Sequence, residues 1–389
     1  MVADKTFPTL YNKAKCGKIQ VWKIWVEDRE DGIGVIHTER GYQDGKMTKG
    51  TKEITKGKNI GKANATTPFQ QAVAEAQSTH TKKMKKDQYV EDPGVLENRV
   101  VKKPMLAQTF GFEGKNANRK KGIVFPCEAQ PKIDGIRCMT DVNEMQSRNN
   151  TQYTNYKKIH EECKDLIVLL ATEGSSIEKI IIDGELFTSE IPFEELNGVI
   201  NKKTPIPKMD LVEYHIFDYV DLSQPNLTFK ERSEKLQVIF VGYPTKFSKL
   251  RLVETVECKT PETAKALHAA YTRQGYEGLI LRNSKSVYQM DKRSYDLQKY
   301  KEFSDEEFKI VSFEEGTGQD KGTVVWICET DGGTEFSVRP KGDYEFRANQ
   351  LKEAPKIIAS GAKLTVTFQG TFPNGVPRFG VGKSLRYDA

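Results

Sequence analysis

The chain of 389 residues has few cysteines and no long apolar segment. Its six cysteines are scattered and form no C-x-x-C pair, which argues against a disulfide framework and against a structural zinc site. Because no apolar run reaches membrane-spanning length, the sequence predicts no transmembrane helix. The N-terminus has neither a signal-peptide core nor a basic amphipathic transit helix. We therefore expect a protein that is not secreted and that works in a reducing compartment.

The charge balance is nearly even. Lys and Arg number 60 against 54 Asp and Glu, a formal net charge of +6, and no strongly basic tail is present. A polyanionic partner is compatible with this balance but is not required by it. With 29% charged and 37% hydrophobic residues, a chain of this length can form two or three domains, each with its own core.

The segment from Gln130 to Arg137 sets one lysine in the pattern K-x-D-G-x-R. An ordinary surface lysine is protonated and inert at neutral pH, whereas desolvation and a nearby positive charge lower its pKa and free its lone pair. Gly135 permits a tight turn after Lys132. Asp134 and Arg137 supply an acceptor and a donor fork suited to a ribose and a phosphate. The segment predicts a nucleophilic lysine, and the alternative is a charged surface turn.

Five further motifs follow in a fixed order, most of them beside strand-like apolar runs. They are Ser147-Arg148-Asn149, Asp183-Gly184-Glu185-Leu186, Tyr214 to Tyr219, Glu277 to Arg282, and Leu297 to Lys301. Each has a structural alternative when taken alone. Asp183-Gly184 is a common turn sequence, Phe217 could be plain core, and Lys299 with Lys301 could be a solvated strand edge.

Taken together, the motifs resemble those of the covalent nucleotidyltransferase superfamily and, most closely, the ATP-dependent DNA ligases. The resemblance extends from about Pro104 to the C-terminus. It implies that the protein seals nicks in duplex DNA between a 5′-phosphate and a 3′-hydroxyl, through a covalent lysyl-AMP and an adenylated DNA. It also implies that the protein uses ATP and Mg²⁺, for which Mn²⁺ can substitute.

The resemblance further implies a role for each motif residue, with Lys132 as the nucleophile that attacks ATP. Glutamate oxygens are hard ligands suited to Mg²⁺. The implied catalytic residues are Lys132, Asp134, Lys299 and Lys301; the nucleotide contacts are Arg137, Glu185, Phe217, Glu277 and Arg386; the metal ligands are Glu185 and Glu277; and Arg148 contacts the nick 5′-phosphate.

The fold class expected is a multidomain α+β protein. Residues 104–302 would form the adenylation (nucleotidyltransferase) domain, with helices over 193–203, 229–240 and 260–273. Residues 303–389 are rich in strand patterns around one helix, which suits an OB-fold barrel. Residues 1–90 would form a small DNA-binding domain, and 91–103 a linker.

The N-terminal region resembles a WGR domain, a small sheet with one helix. Alternating residues from Gly17 to Val26 predict a strand, and Gly32 to Ile36 begins its expected partner. Residues 41–65 are rich in Gly, Lys and Thr, and Thr67-Pro68 predicts a helix start. Glu39-Arg40-Gly41 stands where the Trp-Gly-Arg of the family is expected. Basic residues at the helix end indicate DNA contact, although lysines there also suit the helix dipole and water. These residues are Lys82, Lys83, Lys85 and Lys86.

The C-terminal segment resembles the last ligase motif, with Arg386, and less firmly Lys383, expected to orient pyrophosphate. It departs from the family pattern because Gly380 stands where proline is usual. The alternative is a closing barrel strand whose basic residues face solvent.

The partner that the resemblance implies is nicked duplex DNA. We expect the protein to be a monomer with no membrane association, and to work in the cytoplasm, the nucleus or a viral factory. Three alternatives remain open from the residues alone. They are an RNA ligase, an mRNA guanylyltransferase, and a DNA-end-binding protein that kept the fold without turnover.

Overall fold

The computed structural model of the chain describes residues 5–14, 16–96, 102–112, 121–301, 303–372 and 374–387. The chain divides into two compact units. The first comprises Met1–Gln108, Arg119–Lys265 and Ile280–Gln298, and the second Thr109–Asn118, Ala266–Leu279 and Lys299–Ala389. Within the described residues, no helix has the length and apolar character needed to cross a membrane.

The N-terminal region forms an antiparallel sheet with one helix packed on it. Its strands are β1 (Lys5–Thr6), β2 (Leu10–Lys13), β3 (Ile19–Asp28), β4 (Gly34–Tyr42) and β5 (Thr48–Ile54), and its helix is α1 (Pro68–Lys85). The strand order is β1-β3-β4-β5, with β2 also paired to β3. Trp22, Ile24 and Val26 of β3 pack with Ala72 and Ala76 of α1, so this region has its own small core.

Helix α1 begins as the sequence predicts. The Thr67 side chain accepts a hydrogen bond from the Gln70 backbone N–H at 3.1 Å, and the Gln70 side chain accepts one from the Thr67 N–H at 3.0 Å. This reciprocal pair satisfies two of the backbone donors that a helix start leaves open, and Pro68 follows at the first helical position.

The Gly-, Lys- and Thr-rich section 41–65, for which the sequence predicts no strand, contains β5. Every residue of β5 except Ile54 is exposed, so the strand shows no alternation of apolar residues. The strand is an edge of the sheet rich in lysine and threonine, and only its pairing with β4 defines it. Of the predicted linker 91–103, residues 97–101 lie outside the described residues, and Pro93–Leu96 forms a short 3₁₀ turn.

The described residues of the central region form two sheets and four helices. Its strands are β6 (Leu106–Thr109), β7 (Cys127–Lys132), β8 (Ile136–Thr140), β9 (Met145–Ser147), β10 (Ile180–Phe187), β11 (Glu213–Asp221), β12 (Leu250–Leu252), β13 (Val256–Cys258), β14 (Gly278–Arg282) and β15 (Arg293–Tyr300). Its helices are α2 (Lys157–Leu170), α3 (Phe193–Ile200), α4 (Phe229–Gly242) and α5 (Pro261–Arg273).

One central sheet has the order β12-β11-β10-β8-β9, and the other β13-β7-β14-β15-β6. The first packs against helices α2, α3 and α4 through a large apolar core that includes Leu166, Ile182 and Leu236. A smaller cluster with Met139, Ile181 and Tyr288 covers its other face. Helices α3, α4 and α5 match the sequence expectation to within three residues, whereas α2 was not predicted.

The C-terminal region is a closed five-stranded barrel with one helix. Its strands are β16 (Ser304–Glu315), β17 (Val324–Glu329), β18 (Glu335–Pro340), β19 (Lys363–Phe368) and β20 (Val381–Arg386), and its helix is α6 (Tyr344–Ala359). The strand order around the barrel is β16-β17-β18-β20-β19. Trp326, Cys328 and Val366 fill the interior, and Ala354 and Ile357 of the helix pack onto the same core.

Candidate active site

Lys132 lies at the end of β7, just before a tight turn into β8. Gly135 has no room for a side chain, because a Cβ there would lie 2.8 Å from the Leu186 backbone oxygen and 3.0 Å from the Glu185 carboxylate. The turn therefore holds Lys132 and Asp134 close to β10 and starts the strand that carries Arg137.

Glu185 faces this turn from β10. Its Oε2 accepts a hydrogen bond from the Gly135 backbone N–H at 3.0 Å, and it stands opposite Arg137 in the strand register. Asp183-Gly184 lies within β10 and is not a turn, so the turn alternative is wrong here. Gly184 marks a bulge opposite β11, where a Cβ would lie 2.5 Å from the His215 backbone oxygen.

The burial of Lys132 favours a reactive amine. Burial lowers the pKa of the Lys132 ammonium, the charges of Glu185 and Asp134 oppose this shift, and Arg137 adds to it. Burial also raises the pKa of the Glu185 carboxyl, against the charges of Lys132 and Arg137 and the Gly135 N–H. A larger fraction of Lys132 is therefore unprotonated near neutral pH than of a solvated lysine.

Arg137 is fixed by a buried aspartate. Its Nε donates to Oδ1 of Asp183 at 2.7 Å and its Nη2 to Oδ2 at 2.6 Å, while Nη2 also donates to the Met105 backbone oxygen at 3.1 Å. The Tyr288 hydroxyl donates to Asp183 Oδ2 at 2.5 Å. Bidentate pairing of this kind sets the plane of the guanidinium. The sequence analysis did not predict the contacts of Asp183 and Tyr288.

Phe217 is half-buried on β11, with cations on its ring. The guanidinium carbon of Arg137 lies 4.8 Å from the ring centroid and that of Arg282 lies 5.6 Å away, both within cation–π range. Phe217 is not fully buried, so part of its surface is exposed. It keeps surface for a flat ligand beside Arg137.

Gln130 links the strand of Lys132 to the strand of Phe217. Its amide nitrogen donates to the Phe217 backbone oxygen at 3.0 Å and to the Thr255 hydroxyl at 2.9 Å, and the side chain is buried. Gln130 lies on the same strand as Lys132, two residues before it. Its hydrogen bond to the Phe217 backbone therefore links the sheet that carries the lysine to the sheet that carries the aromatic ring. Both donors of the amide have protein partners, which leaves its oxygen as the acceptor. The sequence analysis missed this residue, because a glutamine in a strand carries no distinctive signal.

A buried ionic cluster lies behind Phe217. Asp218 accepts two hydrogen bonds from Arg232, at 2.7 and 3.0 Å, and one from Arg282 at 2.5 Å. Burial alone would raise the pKa of Asp218, but the two guanidinium groups hold it below its usual value. Arg232 was not singled out from sequence. The sequence signal that could have identified Arg232 is the position of an arginine on the apolar face of helix α4.

Arg148 lies apart from Lys132, exposed on the loop that follows β9. Ser147 begins this loop, and its Oγ accepts hydrogen bonds from the backbone N–H groups of Asn149 at 3.2 Å and Thr151 at 2.9 Å. The hydroxyl thereby closes a compact turn that leaves the Arg148 side chain in solvent.

Four predicted residues, Glu277, Lys299, Lys301 and Arg386, belong to the second compact unit. Glu277 precedes β14 and forms an ion pair with Lys301, whose Nζ also donates to Oε1 of Gln369 at 3.1 Å. Lys299 lies in β15, and Lys301 follows the end of that strand, so the expectation that both lysines lie within one strand is wrong by one residue.

Arg386 and Lys383 lie on the exposed surface of β20, where each faces an acid of β16. Arg386 Nε is 3.4 Å from Oε1 of Glu307, and Lys383 Nζ is 2.5 Å from Oδ2 of Asp305. Both cations are more than half exposed, so they meet solvent and neighbouring carboxylates in this structure.

The lysines at the end of α1 fall into two kinds. Lys82, Lys85 and Lys86 are exposed. Lys83 instead forms an ion pair with Asp87 at 2.7 Å and lies 4.8 Å from the ring centroid of Tyr89. Its contacts are those of a residue that holds the helix end.

No cluster of three or more histidine, cysteine, aspartate or glutamate residues able to hold a metal occurs in the described part of the chain. Mg²⁺ in nucleotide enzymes usually takes one or two carboxylates, and substrate phosphates complete the coordination. Glu185 and Glu277 supply carboxylates of that kind. Each unit thus carries one predicted carboxylate whose chemistry fits a metal that arrives with a nucleotide.

Comparison with known proteins gives a consistent result. The family model described as the ATP-dependent DNA ligase domain matches residues 104–301. The chain is 26% identical over 402 residues to the DNA ligase of African swine fever virus, isolate Pretoriuskop, a match that covers 95% of this chain and 92% of that protein. It is 29% identical over 255 residues to the DNA ligase of Enterobacteria phage T4, covering 53% and 50%.

Solved structures agree on the fold. A structure of a Lig E DNA ligase has a TM-score of 0.58 and 24% identity, and covers 74% of this chain and 100% of that one. A structure designated Pmar-Lig_PreS3 has a TM-score of 0.60 and 20% identity, covering 82% and 74%. The mixed α/β nucleotidyltransferase fold expected from sequence is thus confirmed.

Proposed function

The chain belongs to the family of ATP-dependent DNA ligases, and we propose that it seals nicks in duplex DNA through a lysyl-AMP formed on Lys132. The observation that supports this proposal most strongly is the environment of Lys132. A partly buried lysine with a lowered pKa lies at the end of β7, fixed relative to Phe217 through Gln130. That arrangement suits a nucleophile beside a nucleotide base.

In the first step, the Lys132 amine attacks the α-phosphorus of ATP. The new N–P bond forms as the bond to the leaving oxygen breaks, and pyrophosphate departs. The protein supplies an unprotonated amine, stacks Phe217 on the adenine, and places Arg137 for the ribose. Because Asp183 fixes Arg137 in a bidentate pair, little side-chain freedom is lost when the nucleotide binds.

Gln130 is the residue we propose to select the base. Its amide nitrogen already donates to Phe217 and Thr255, so its oxygen is the group left to face a nucleotide. A carbonyl oxygen can accept from the exocyclic amine of adenine, whereas guanine would present its own carbonyl oxygen at the equivalent position. The unpaired acceptors would then disfavour GTP.

In the later steps, the AMP moves from Lys132 to the 5′-phosphate at the nick, and the 3′-hydroxyl attacks that phosphate to release AMP. We assign the 5′-phosphate to Arg148 and placement of the 3′-hydroxyl end to Asp134. A guanidinium suits phosphate because its fork of donors matches two phosphate oxygens.

The second unit supplies further charged groups. Lys299 and Lys301 would neutralise the reacting phosphate, and Arg386 would orient pyrophosphate as it leaves. Glu277 of this unit and Glu185 of the first unit are the assigned ligands of Mg²⁺, for which Mn²⁺ can substitute; when bound, the metal would neutralise charge on the triphosphate.

DNA contact would extend beyond the central region. The C-terminal barrel, with its five strands and one helix, suits an OB-fold that grips nucleic acid on one face. The N-terminal sheet and helix suit a WGR-like module, with Lys82, Lys85 and Lys86 facing phosphate.

One experiment tests the central proposal. Wild type and Lys132→Ala are incubated with labelled ATP or GTP and Mg²⁺ and run on a denaturing gel, and both are then assayed on nicked DNA. We expect a covalent label from ATP alone, absent from the variant, and sealing by wild type only. Covalent label on the variant would refute the assignment of Lys132, and label from GTP would refute the role of Gln130.

A further inference from the structure

Asn150 links the loop of Arg148 to the N-terminal region. Its Nδ2 donates to the Lys86 backbone oxygen at 3.0 Å, and its Oδ1 accepts from the Gln88 side-chain amide at 2.7 Å. Both partners lie more than sixty residues earlier in the chain, at the end of α1. A single side chain thus connects two regions through one donor and one acceptor.

Both residues that form this contact have an unusual backbone conformation. Asn150 has a φ of 62° and Gln88 a φ of 58°, in the left-handed region that residues other than glycine rarely adopt. Asparagine tolerates this region better than most residues, because its short side chain can hydrogen-bond to the nearby backbone. The longer side chain of glutamine gives no such local stabilisation. Gln88 is nonetheless buried, so the surrounding packing and its bond to Asn150 maintain the conformation.

The contact acts directly on the loop that presents Arg148. The Asn150 backbone N–H donates to the Ser147 backbone oxygen at 2.9 Å, and the Ser147 N–H donates to the Thr151 oxygen at 2.8 Å. Asn150 therefore belongs to the closed turn of residues 147–151, with Arg148 at its tip. Holding the side chain of Asn150 restricts the whole turn.

A groove of about 910 Å³ runs along the same junction. Lys85 and Gln88 line it from the N-terminal region, and Asn150, Lys202 and Lys203 from the central region. Glu144 is the one acid among its described lining residues, and Lys102 pairs with it at 2.8 Å. The groove is thus rich in lysine and amide groups, a chemistry suited to a phosphodiester backbone.

We propose that Asn150 is a positioning residue, through which the end of α1 sets the Arg148 loop for the nick 5′-phosphate. The DNA strand that carries this phosphate would continue along the groove. The inference rests on the proposed function of Arg148. The N-terminal region then does more than add affinity for duplex DNA, because it also favours nicks that carry a 5′-phosphate.

The test uses Asn150→Gly and Gln88→Gly in the full chain. Glycine keeps the left-handed backbone and removes only the side-chain contact, so each variant isolates one end of the link. Binding to a nick with a 5′-phosphate and to a matching nick with a 5′-hydroxyl is measured by fluorescence anisotropy in EDTA, so that no chemistry proceeds. Arg148→Ala is the reference, and adenylation of Lys132 with ATP and Mg²⁺ reports on folding.

We expect both glycine variants to lose about fivefold of the preference for the 5′-phosphate nick. Asn150→Gly also removes the bond to the Lys86 backbone oxygen, so it should lose at least as much as Gln88→Gly. The double variant should lose little more than Asn150→Gly alone, because that change already removes both bonds. Adenylation should stay within twofold of wild type, and binding to the 5′-hydroxyl nick should change little.

A preference that survives in both glycine variants but disappears in Arg148→Ala would overturn the inference and leave the role of Arg148 intact. A preference that survives in Arg148→Ala as well would overturn the proposed role of Arg148, and the inference with it.

Discussion

The Glu185 carboxylate accepts a hydrogen bond from the Gly135 backbone N–H at 3.0 Å, so an acid on β10 holds the turn that follows Lys132. The same carboxylate places a negative charge near the Lys132 amine. Glu185 therefore has both a structural and an electrostatic role. A glutamine at position 185 separates the two roles, because it keeps an oxygen acceptor for the Gly135 N–H but carries no charge.

Glu185→Gln should move the pH profile of Lys132 adenylation to lower pH. The attacking form is the free amine, so the rate rises with pH through the pKa of Lys132 and then levels off. The charge of Glu185 raises that pKa, and its removal lowers the pKa further. Initial adenylation rates at saturating ATP, measured across pH, give the midpoint independently of any loss in maximal rate. A midpoint displaced to higher pH would contradict the electrostatic role.

Phe217→Leu should weaken ATP binding by about 1 kcal/mol, the scale of a lost aromatic stack. Leucine retains apolar volume but offers no flat ring to a base or to the Arg137 guanidinium. The apparent Kd of ATP from titrated adenylation measures the effect, and Phe217→Tyr is the matched control that keeps the ring. If leucine and tyrosine variants bound ATP alike, Phe217 would have only a packing role.

Asp218→Asn should destabilise the protein by about 3–5 kcal/mol, because it leaves Arg232 and Arg282 buried without their counterion. Urea unfolding at neutral pH measures the loss. Since the pKa of Asp218 is lowered in the folded state, its contribution is present above the unfolded pKa and is lost as the pH falls below about 4.

The variant should therefore lose less stability than wild type between neutral pH and the acid range. Glu231→Gln is a suitable control, because Glu231 is the neighbour of Arg232 in α4 but is exposed at the helix start and belongs to the capping box. Equal stability of Asp218→Asn and wild type would mean that the cluster does not contribute to folding.

Replacing Lys82, Lys85 and Lys86 together by glutamine should weaken binding to nicked duplex and reduce the salt slope of log K by about two to three. Lys83→Gln is the matched control. It should lower thermal stability instead, because Lys83 contacts Asp87 and Tyr89. Binding titrations at several salt concentrations test both expectations, and an unchanged slope in the triple variant would exclude this helix end from the DNA contact.

Sequence patterns predicted some elements well and others poorly, for identifiable reasons. The capped start of α1 and the positions of α3 to α5 followed from local signals within a few residues of each helix end. β5 was not predicted, because an exposed edge strand shows no alternation of apolar and polar residues. α2 was not predicted, although Leu166 and Ile167 lie on its buried face, because its start carries no capping signal: the Tyr156 side chain makes no cap hydrogen bond.

The order of short motifs in the sequence was enough to predict the family, which the family comparison confirms, and it also led to the proposed chemistry. Covalent nucleotidyl transfer needs a lysine, carboxylates and arginines, and each of them stands in a short local motif. Tertiary structure alone decided how those groups are held. Asp183 reaches Arg137 across 46 residues and Tyr288 reaches Asp183 across 105, while Asn150 meets Gln88 across 62. Such contacts arise where strands from distant parts of the chain pair and pack, and no local periodicity encodes them.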